Sequence, residues 1–306
     1  MARPAIVPFS EEHVEPAAAL LAERHERHRS AIPQLPAGID YAAELATLLA
    51  DGATGAYADG AYVLGGSGPD HWGPNIWLGP AGHAAADPEL LRDVWAEAAA
   101  RWFEQGLKEH HVFVPATDAR LLDAWFRLGF GAQQAYGVLD VPEREWPPGV
   151  REATEDDVEA LVGLGPLLSR QQRRSPTFSS FPEQTANEVR ADVLDDFTHD
   201  TVVNLVYELD GRIVGNFAVY PAELEGAHSG LAQPHAAAFI PFAVTGPDVR
   251  GNGAGVALTD ASFAWARAHG YETMVVDWRV TNLAASRFWP RRGFRTSFLR
   301  LYRSLP

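Results

Sequence analysis

The sequence predicts two tandem α/β domains, each built from a mixed sheet flanked by helices. Its length of 306 residues is twice the roughly 150 residues of an ordinary domain. The segment Pro147-Pro148-Gly149 can continue neither a helix nor a sheet, so we place the boundary there, between residues 1–146 and 147–306. A pattern shared by the two halves is the third observation.

The two halves begin and end alike. Ser10 and Thr154 each follow a short β-like segment and precede acidic residues, as helix N-caps do. Trp289 lies 164 positions after Trp125, and a Gly-Phe pair follows each tryptophan at the same spacing. We therefore interpret the chain as a duplicated domain with small insertions.

Hydrophobic periodicity predicts the order of elements in the second half. We expect helices at 155–171 and 186–197, a hairpin around Asp210-Gly211, a strand at 236–245, a helix at 254–269, a strand at 273–279, a helix at 283–292 and a strand at 294–302. The first half follows a similar order, with Asp59-Gly60 as its hairpin turn and a long helix at 88–104.

The composition excludes several classes of protein. Hydrophobic residues at 46% and charged residues at 21% are typical of a globular chain. Without cysteine there are no disulfides, thiolate nucleophiles or cysteine-ligated metals. Because the first residues lack an apolar signal segment and no run approaches the ~20 apolar residues of a membrane span, we expect a cytoplasmic protein with no membrane partner. The spacing of His25 and His28 predicts no metal site.

The charge points to small, cationic partners. Twenty-five basic and 40 acidic residues give a net charge of −15, which repels nucleic acid and attracts cationic small molecules. An anionic cofactor therefore needs a local basic or dipolar site.

A glycine-rich turn between a predicted strand and a predicted helix supplies such a site. Gly251, Gly253 and Gly255 let the backbone approach a ligand closely, and the first helical turn directs N–H groups at it, beside Arg250. These features suit a pyrophosphate, although a turn that only packs a helix on a sheet has the same composition.

Two common phosphate-binding motifs do not fit this turn. A P-loop needs a lysine, and the single lysine is the distant Lys108. A dinucleotide fingerprint needs a glycine or alanine where this chain has Val256, although Asp277 lies near the place of a ribose-binding acid.

The turn Arg250-x-x-Gly253-x-Gly255 resembles the acyl-CoA pyrophosphate loop of the GCN5-related N-acetyltransferase (GNAT) superfamily. The segment from Asn282 to Phe294 is similar to the family's second cofactor motif. The resemblance covers residues 150–306 and implies a twisted, mostly antiparallel sheet with acetyl-CoA as co-substrate. The cofactor-binding residues that it implies are Phe242, Ala243, Val244, Arg250, Gly251, Asn252, Gly253, Ala254, Gly255, Asn282, Ala285, Phe288 and Trp289.

The first half has lost these features. At the offset of 164 positions, Ala86, Glu89, Leu91 and Asp118 stand where the second half has Arg250, Gly253, Gly255 and Asn282. A glutamate in place of a pyrophosphate-binding glycine repels the ligand. We expect a degenerate first domain and one CoA site per chain.

The resemblance implies an N-acetyltransferase that moves an acetyl group to the amine of a small molecule within a ternary complex. Asp277 is the favoured base, although it could instead pair with Arg279 or Arg151, and His235 is the second candidate. Acceptor contacts are expected from the segment 169–181, and the chain is expected to be a monomer or a homodimer.

Trp289 departs from the family pattern. The family usually has a tyrosine there that protonates the CoA thiolate, and an indole N–H cannot serve as that acid. Ser286 or water could supply the proton. The alternative function is a non-catalytic protein that binds or senses acyl-CoA, and an NAD-dependent oxidoreductase is a third possibility.

Overall fold

The computed structural model describes residues 5–179, 183–224 and 230–306, and the chain divides into two compact units. The first unit comprises Met1–Tyr136, Ser229–Gln233 and Thr296–Pro306, and the second comprises Gly137–His228 and Pro234–Arg295. These units differ from the predicted ranges 1–146 and 147–306, because the C-terminal segment belongs to the first unit and residues 137–146 belong to the second.

The first unit contains helices α1 (Val14–Ala31), α2 (Tyr41–Ala50), α3 (Pro88–Glu104) and α4 (Ala119–Arg127). Its strands are β1 (Val7–Pro8), β2 (Thr54–Ala58), β3 (Ala61–Gly65), β4 (Asn75–Leu78), β5 (His83–Ala85) and β6 (Glu109–Pro115). β7 (Gly131–Asp140) begins in this unit and ends in the second. One sheet has the antiparallel order β1-β2-β3-β5, and β4 pairs in parallel with β6.

The last strand explains why the C-terminal residues belong to the first unit. β13 (Arg295–Ser304) pairs antiparallel with β6, from Phe298 opposite Pro115 to Ser304 opposite Glu109. Phe298 is fully buried in this unit, where its ring meets His28 edge-on at 4.7 Å. Strand pairing and burial therefore attach residues 296–306 to the first unit.

The second unit contains helices α5 (Val158–Leu164), α6 (Pro166–Arg173), α7 (Ala186–Asp196), α8 (Ala254–Ala268) and α9 (Leu283–Arg291). Its strands β8 (Val150–Glu152), β9 (Val203–Leu209), β10 (Arg212–Pro221), β11 (Ala237–Thr245) and β12 (Thr273–Arg279) lie in the order β12-β11-β10-β9-β8. The β11–β12 pair is parallel and the other pairs are antiparallel. The predicted fold class, α/β with mixed and mostly antiparallel sheets, is confirmed.

Helices cover both faces of this second sheet. On one face Val206 packs with buried residues of α5 and α7. On the other face Phe217 meets Trp289 of α9 at 6.0 Å, and Gly215 lies against Leu258 of α8. The hairpin between β9 and β10 turns at Asp210 and Gly211, both with positive φ, as a two-residue turn of this kind requires.

The predicted internal repeat is visible in the bounds of the elements. α4, β6 and β7 of the first half recur at an offset of 164 residues as α9, β12 and β13, with identical lengths, and α3 and α8 end at equivalent positions. The predicted helix at 155–171 is divided, because Pro166 begins α6 after Gly165. The segment expected to be an acceptor loop at 169–181 is helical up to Arg173, and its residues 180–181 lie outside the described residues.

Candidate functional site

The site is built where β11 separates from β12. Their parallel pairing runs from Ala237 opposite Thr273 to Ile240 opposite Val276. Pro241 follows and has no N–H to donate to a ladder. At the same point the pairing of β11 with β10 shifts register, so that a β-bulge bends the strand. The edge of β11 beyond Ile240 therefore lies apart from β12.

A cavity of about 460 Å³ opens at this separation. Ala243 pairs with Phe217 and so lies on the face covered by α9, whereas Val244 pairs with Asn216 and lies on the opposite face. Both residues line the cavity, together with Leu168 of α6 and Trp289 of α9. The cavity therefore reaches both faces of the sheet.

The glycine-rich turn closes one end of the cavity. Gly251 and Gly253 have φ of 88° and 86°, a left-handed conformation that other residues adopt at a cost. Gly253 is the N-cap of α8 and supplies no side-chain cap, and the first bond within the helix runs from the Ala257 N–H to the Gly253 carbonyl. The N–H groups of the first helical turn thus remain available for an anion.

Two further features give this end its anion-binding character and its width. Arg250 is exposed at the cavity wall and forms no ion pair within the described part of the chain. A Cβ built on Gly255 would lie 3.6 Å from the Phe288 ring and 3.9 Å from Thr245. A side chain at residue 255 would therefore narrow the space between β11 and α9.

The opposite wall is formed by α9. Asn282 is its N-cap, and the side-chain oxygen accepts a hydrogen bond from the Ala285 N–H at 3.4 Å. Trp289 is 4% exposed and meets the Phe294 ring edge-on at 5.4 Å. In the first unit Trp125 meets Phe130 in the same way at 5.1 Å. The repetition indicates that Trp289 packs the helix against the core.

Comparisons with known proteins agree with this geometry. The model of the acetyltransferase (GNAT) family matches residues 168–294. Residues 168–294 form a GNAT domain. The match to this family supports acyl transfer from acyl-CoA as the chemistry of this domain. A search of curated proteins finds no match to the sequence.

Two solved structures share the fold of nearly the whole chain. A GCN5-related N-acetyltransferase from Sphaerobacter thermophilus aligns with a TM-score of 0.57 and 14% identity, covering 99% of this chain and 96% of that one. A tandem GNAT protein from the clavulanic acid biosynthesis pathway aligns with a TM-score of 0.50 and 12% identity, covering 97% of both chains. The tandem arrangement of this chain fits these folds.

The GNAT domain brings together the residues that the sequence assigned to the cofactor, apart from Phe242 and Asn252, which do not line the cavity. Phe242 pairs with Ala218 beside the lining residue Ala243. Asn252 lies between two lining glycines and donates its N–H to the Val249 carbonyl.

Asp277 lies at the separation of the strands, one residue beyond the last position of β12 that pairs with β11, and is half-buried. Strand alternation places it on the face opposite Trp278, whose ring lies beside Phe294 near Gly137. It does not line the cavity. Arg151, one of its suggested structural partners, instead binds Asp157, and this ion pair lowers the pKa of Asp157 to about 2.

The structure does not bring His235 to the cavity. This residue is exposed before the start of β11 and lies six positions before Pro241, where β11 leaves β12, which is about 20 Å at roughly 3.3 Å per residue of extended chain. His235 is therefore poorly placed to act as the base.

Ser286 is engaged with the backbone. Its hydroxyl donates to the carbonyl oxygen of Val280 at 2.6 Å and also lies 2.9 Å from that of Asn282. It does not line the cavity. A hydroxyl held in this way serves to stabilise the start of α9 and is a poor source of a proton for a thiolate.

Sequence reasoning missed several lining residues. Leu167, Leu168 and Gln171 come from α6, which packs on β11, and Phe217 comes from β10. The pairing of Phe217 with Ala243 gives it the same face as the cofactor strand. Side chains of the hairpin strand alternate between the two faces of the sheet, so Phe217 and Ala218 point to opposite faces. This alternation is the one signal in the sequence that could have identified Phe217 as a lining residue.

Among residues 5–179, 183–224 and 230–306, no helix combines the length and hydropathy that a membrane crossing requires. The same residues contain no group of three histidine, aspartate or glutamate side chains arranged to hold a metal ion.

Proposed function

We propose that the protein is an N-acetyltransferase that moves an acetyl group from acetyl-CoA to the amine of a small molecule. The observation that carries the proposal is the cavity that reaches both faces of the sheet, with an anion-binding helix end at one side. A ligand can then bind from the α9 face while its reactive end meets an acceptor at the other face.

The residues present fit a CoA molecule. The N–H groups of Ala254, Gly255 and Val256 and the guanidinium of Arg250 would hold its pyrophosphate. The separated edge of β11 beyond Ile240 offers backbone groups to the amides of the pantetheine arm. Acetyl-CoA supplies an activated thioester carbonyl, and an N–H of this edge would polarise it.

Asp277 is the proposed base. It lies where β11 and β12 part, on the face opposite α9, so that an ammonium group entering from that face can lose a proton to it directly or through water. The proton for the departing thiolate comes from water in this scheme, because the Ser286 hydroxyl is bound to backbone carbonyls.

The acidic charge of the chain favours a cationic acceptor. A net charge of −15 attracts amines, and the acceptor is proposed to be a small molecule. Nucleic acid is excluded as a partner by the same field, and we propose that the protein acts in the cytoplasm.

Thiol release tests this function. The purified chain is incubated with acetyl-CoA and a panel of amines, and free CoA is followed with a thiol reagent, to which this cysteine-free protein contributes no background. Amine-dependent release is the expected result. Asp277→Asn should lower kcat about 100-fold or more with little change in the Kd of CoA, whereas the exposed control Glu272→Gln should behave as wild type.

A second function, acyl-CoA binding without turnover, is favoured by the packing of Trp289. The same aromatic pair occurs in the first unit, and an indole does not protonate a thiolate. Tight acetyl-CoA binding without thiol release across the panel would support this function over the transferase.

We further propose one CoA site per chain, in the second unit. Asp87 caps α3 of the first unit with its side chain, and Glu89 follows in the first turn. Titration calorimetry should give one site per chain, and two equivalent sites would contradict the proposal.

A further inference from the structure

Helix α6 forms one wall of the cavity. It follows α5 directly and packs on β11. Gln171 lies four residues after Leu167 and three after Leu168, so the three residues share one stripe of the helix, and all three line the cavity. Val244 lines it from β11, on the face of the sheet opposite α9. We call these four residues the α6 wall, which a ligand entering opposite α9 would meet.

The α6 wall carries no charge. It consists of three aliphatic side chains and one uncharged amide. Leu167, Leu168 and Gln171 are each partly exposed, so a ligand can reach them. Among the described residues that line the whole cavity, Arg250 alone has a charged side chain, and it lies at the glycine-rich turn proposed for the pyrophosphate. An ammonium or carboxylate group buried against the α6 wall would therefore lack a charged partner, which is unfavourable.

Charged side chains around this wall are bound within the protein. Arg170 of α6 does not line the cavity, and its guanidinium binds Glu183 at 2.8 Å. Helix α7 packs with α5 over the same face of the sheet. At the end of α7 the Asp196 carboxylate accepts hydrogen bonds from the Tyr220 hydroxyl and the Asn204 amide, both at 2.7 Å. These two charges therefore have internal partners and do not provide the cavity with a charged contact.

Asp277 supplies an acid on this face, where the strands separate. It is the proposed base, and it is half-buried one residue beyond the pairing of β12 with β11. Its carboxylate can take the proton of one ammonium group. The net charge of −15 attracts a cation to the protein. The uncharged wall then determines what the rest of the molecule can be, because apolar surface favours hydrocarbon.

We propose that the acceptor is a monoamine whose remaining part is apolar and uncharged, such as an alkylamine or an arylalkylamine, and that the α6 wall binds this apolar part. The inference rests on the proposed function and names its substrate class. In the reaction the amine nitrogen bonds to the acetyl carbonyl carbon while the C–S bond breaks. The ammonium gives up two protons, one through Asp277 to solvent and one through water to the departing sulfur. The apolar part takes no part in this chemistry, so its contribution is binding alone.

Three amines with the same carbon chain test the proposal. Hexylamine, 1,6-diaminohexane and 6-aminohexanoate share one primary amine and differ at the far end, which is a methyl, an ammonium or a carboxylate group. Thiol release by the full chain with acetyl-CoA should give a kcat/KM for hexylamine at least about tenfold higher than for either of the others, after allowance for the two amines of the diamine. From ethylamine to hexylamine, kcat/KM should rise about two- to fourfold for each CH₂ added.

Variants of α6 locate the effect. Leu168→Asp adds a carboxylate to the wall and should shift the ratio of the two kcat/KM values at least about tenfold toward 1,6-diaminohexane over hexylamine. Leu168→Asn, similar in size but uncharged, should lower kcat/KM for hexylamine without such a shift. Leu194→Asp is the matched control. Leu194 is 45% exposed on α7 and does not line the cavity, so this variant changes the net charge equally and should keep the wild-type ratio.

The outcomes separate this inference from the function on which it rests. Each ratio compares two amines on one protein sample, so partial loss of folded protein cancels. Thiol release by the wild type that is as efficient with 1,6-diaminohexane or 6-aminohexanoate as with hexylamine would overturn the inference and leave the transferase in place. Equal ratios in Leu168→Asp and Leu194→Asp would also overturn it. Acetyl-CoA binding without thiol release for any amine would overturn the proposed function itself.

Discussion

The starts of α3 and α8 occupy equivalent places in the two units and differ in how they are capped. In α3 the Asp87 side chain accepts the Glu89 N–H, and the Glu89 carboxylate binds Arg127 and Arg92. In α8 the cap is Gly253, with no side-chain partner for the first turn. A side chain of the protein therefore satisfies a first-turn N–H group of α3, whereas the first-turn N–H groups of α8 are left available to a ligand.

The strands that precede these helices differ in the same sense. β11 is continuous and bulged at Ile240 and Pro241. The first unit instead has two short strands, of which β4 pairs with β6 and β5 with β3. Arg24 is 2% exposed and donates to the carbonyl oxygens of Pro80 and His83 near the break. An internal side chain thus binds backbone groups where the second unit offers a free edge.

Placing the first unit's residue in the second tests the difference most strongly. Gly253→Glu should weaken CoA binding by at least about 100-fold, because it adds a negative charge at the proposed pyrophosphate site and strains a residue with positive φ. Gly253→Ala carries only the strain and should weaken binding less. Gly270→Ala has a similar φ of 82° beyond the other end of α8, so it should lower the Tm without changing the Kd measured by calorimetry.

The role of Arg24 is tested by Arg24→Met. Removing the guanidinium leaves the Pro80 and His83 carbonyls without this donor, and should lower the free energy of unfolding by about 1–3 kcal/mol. Urea unfolding followed by tryptophan fluorescence measures the change. Arg27→Met, which removes an exposed pair with Glu23, should have little effect. Equal effects of the two variants would show that the Arg24 hydrogen bonds stabilise the unit no more than an exposed ion pair does.

Buried histidine gives the first unit a pH dependence. Burial, with Arg24 nearby, lowers the pKa of His28 to about 3, whereas an unfolded histidine has a pKa near 6.5. Between these values only the unfolded state binds the proton, so this contribution to stability is complete above about pH 6.5 and is lost as the pH falls toward 3.

His28→Phe should flatten this dependence. Urea midpoints measured from pH 7.5 to pH 4.5 should fall less steeply in the variant than in the wild type, since the phenyl ring replaces the imidazole against Phe298 without titrating. His199→Gln, at an exposed histidine, is the control and should keep the wild-type slope. An unchanged slope in His28→Phe would contradict the assignment.

Glu89→Gly should have the smallest effect. It removes the ion pairs with Arg127 and Arg92, which lower the pKa of the exposed Glu89 carboxyl, and exposed pairs of this kind contribute little to stability. The Tm should change by a few degrees at most. Calorimetry should still find one CoA site, because Arg24 continues to bind the carbonyls of the broken strand. A second site would show that Glu89 alone prevents the first unit from binding CoA.

Much of the second unit was predictable because its signals are local. The strand at 273–279 and the first unit's long helix at 88–104 have the predicted bounds, since capping residues and glycines mark where such elements start and stop. The ranges of the two units were harder to predict from the sequence. Nothing within residues 296–306 specifies that their partner is β6, nearly two hundred residues earlier, because strand pairing depends on the whole sheet.

The candidate site divides in the same way. The glycines and Arg250 were identifiable from spacing, and Pro241 was an available sign that β11 loses a hydrogen bond. His235 and Ser286 could not be judged, because distance along a strand and competition from nearby carbonyls decide whether a polar group reaches a cavity. The lining by α6 depended on the packing of helices over the sheet.

The sequence by itself determined the properties that belong to single residues and short segments: the positive φ of Gly251 and Gly253, the missing N–H of Pro241, the caps of α3 and α9, and the repeat of 164 positions. Tertiary structure alone decided where β11 leaves β12, that Ala243 and Val244 line one cavity from opposite faces, and that three arginines line a neighbouring pocket. The physical reason is the sequence separation of the interacting residues. Backbone conformation and capping are set by neighbours in sequence, whereas strand pairing and side-chain packing join residues far apart in the chain.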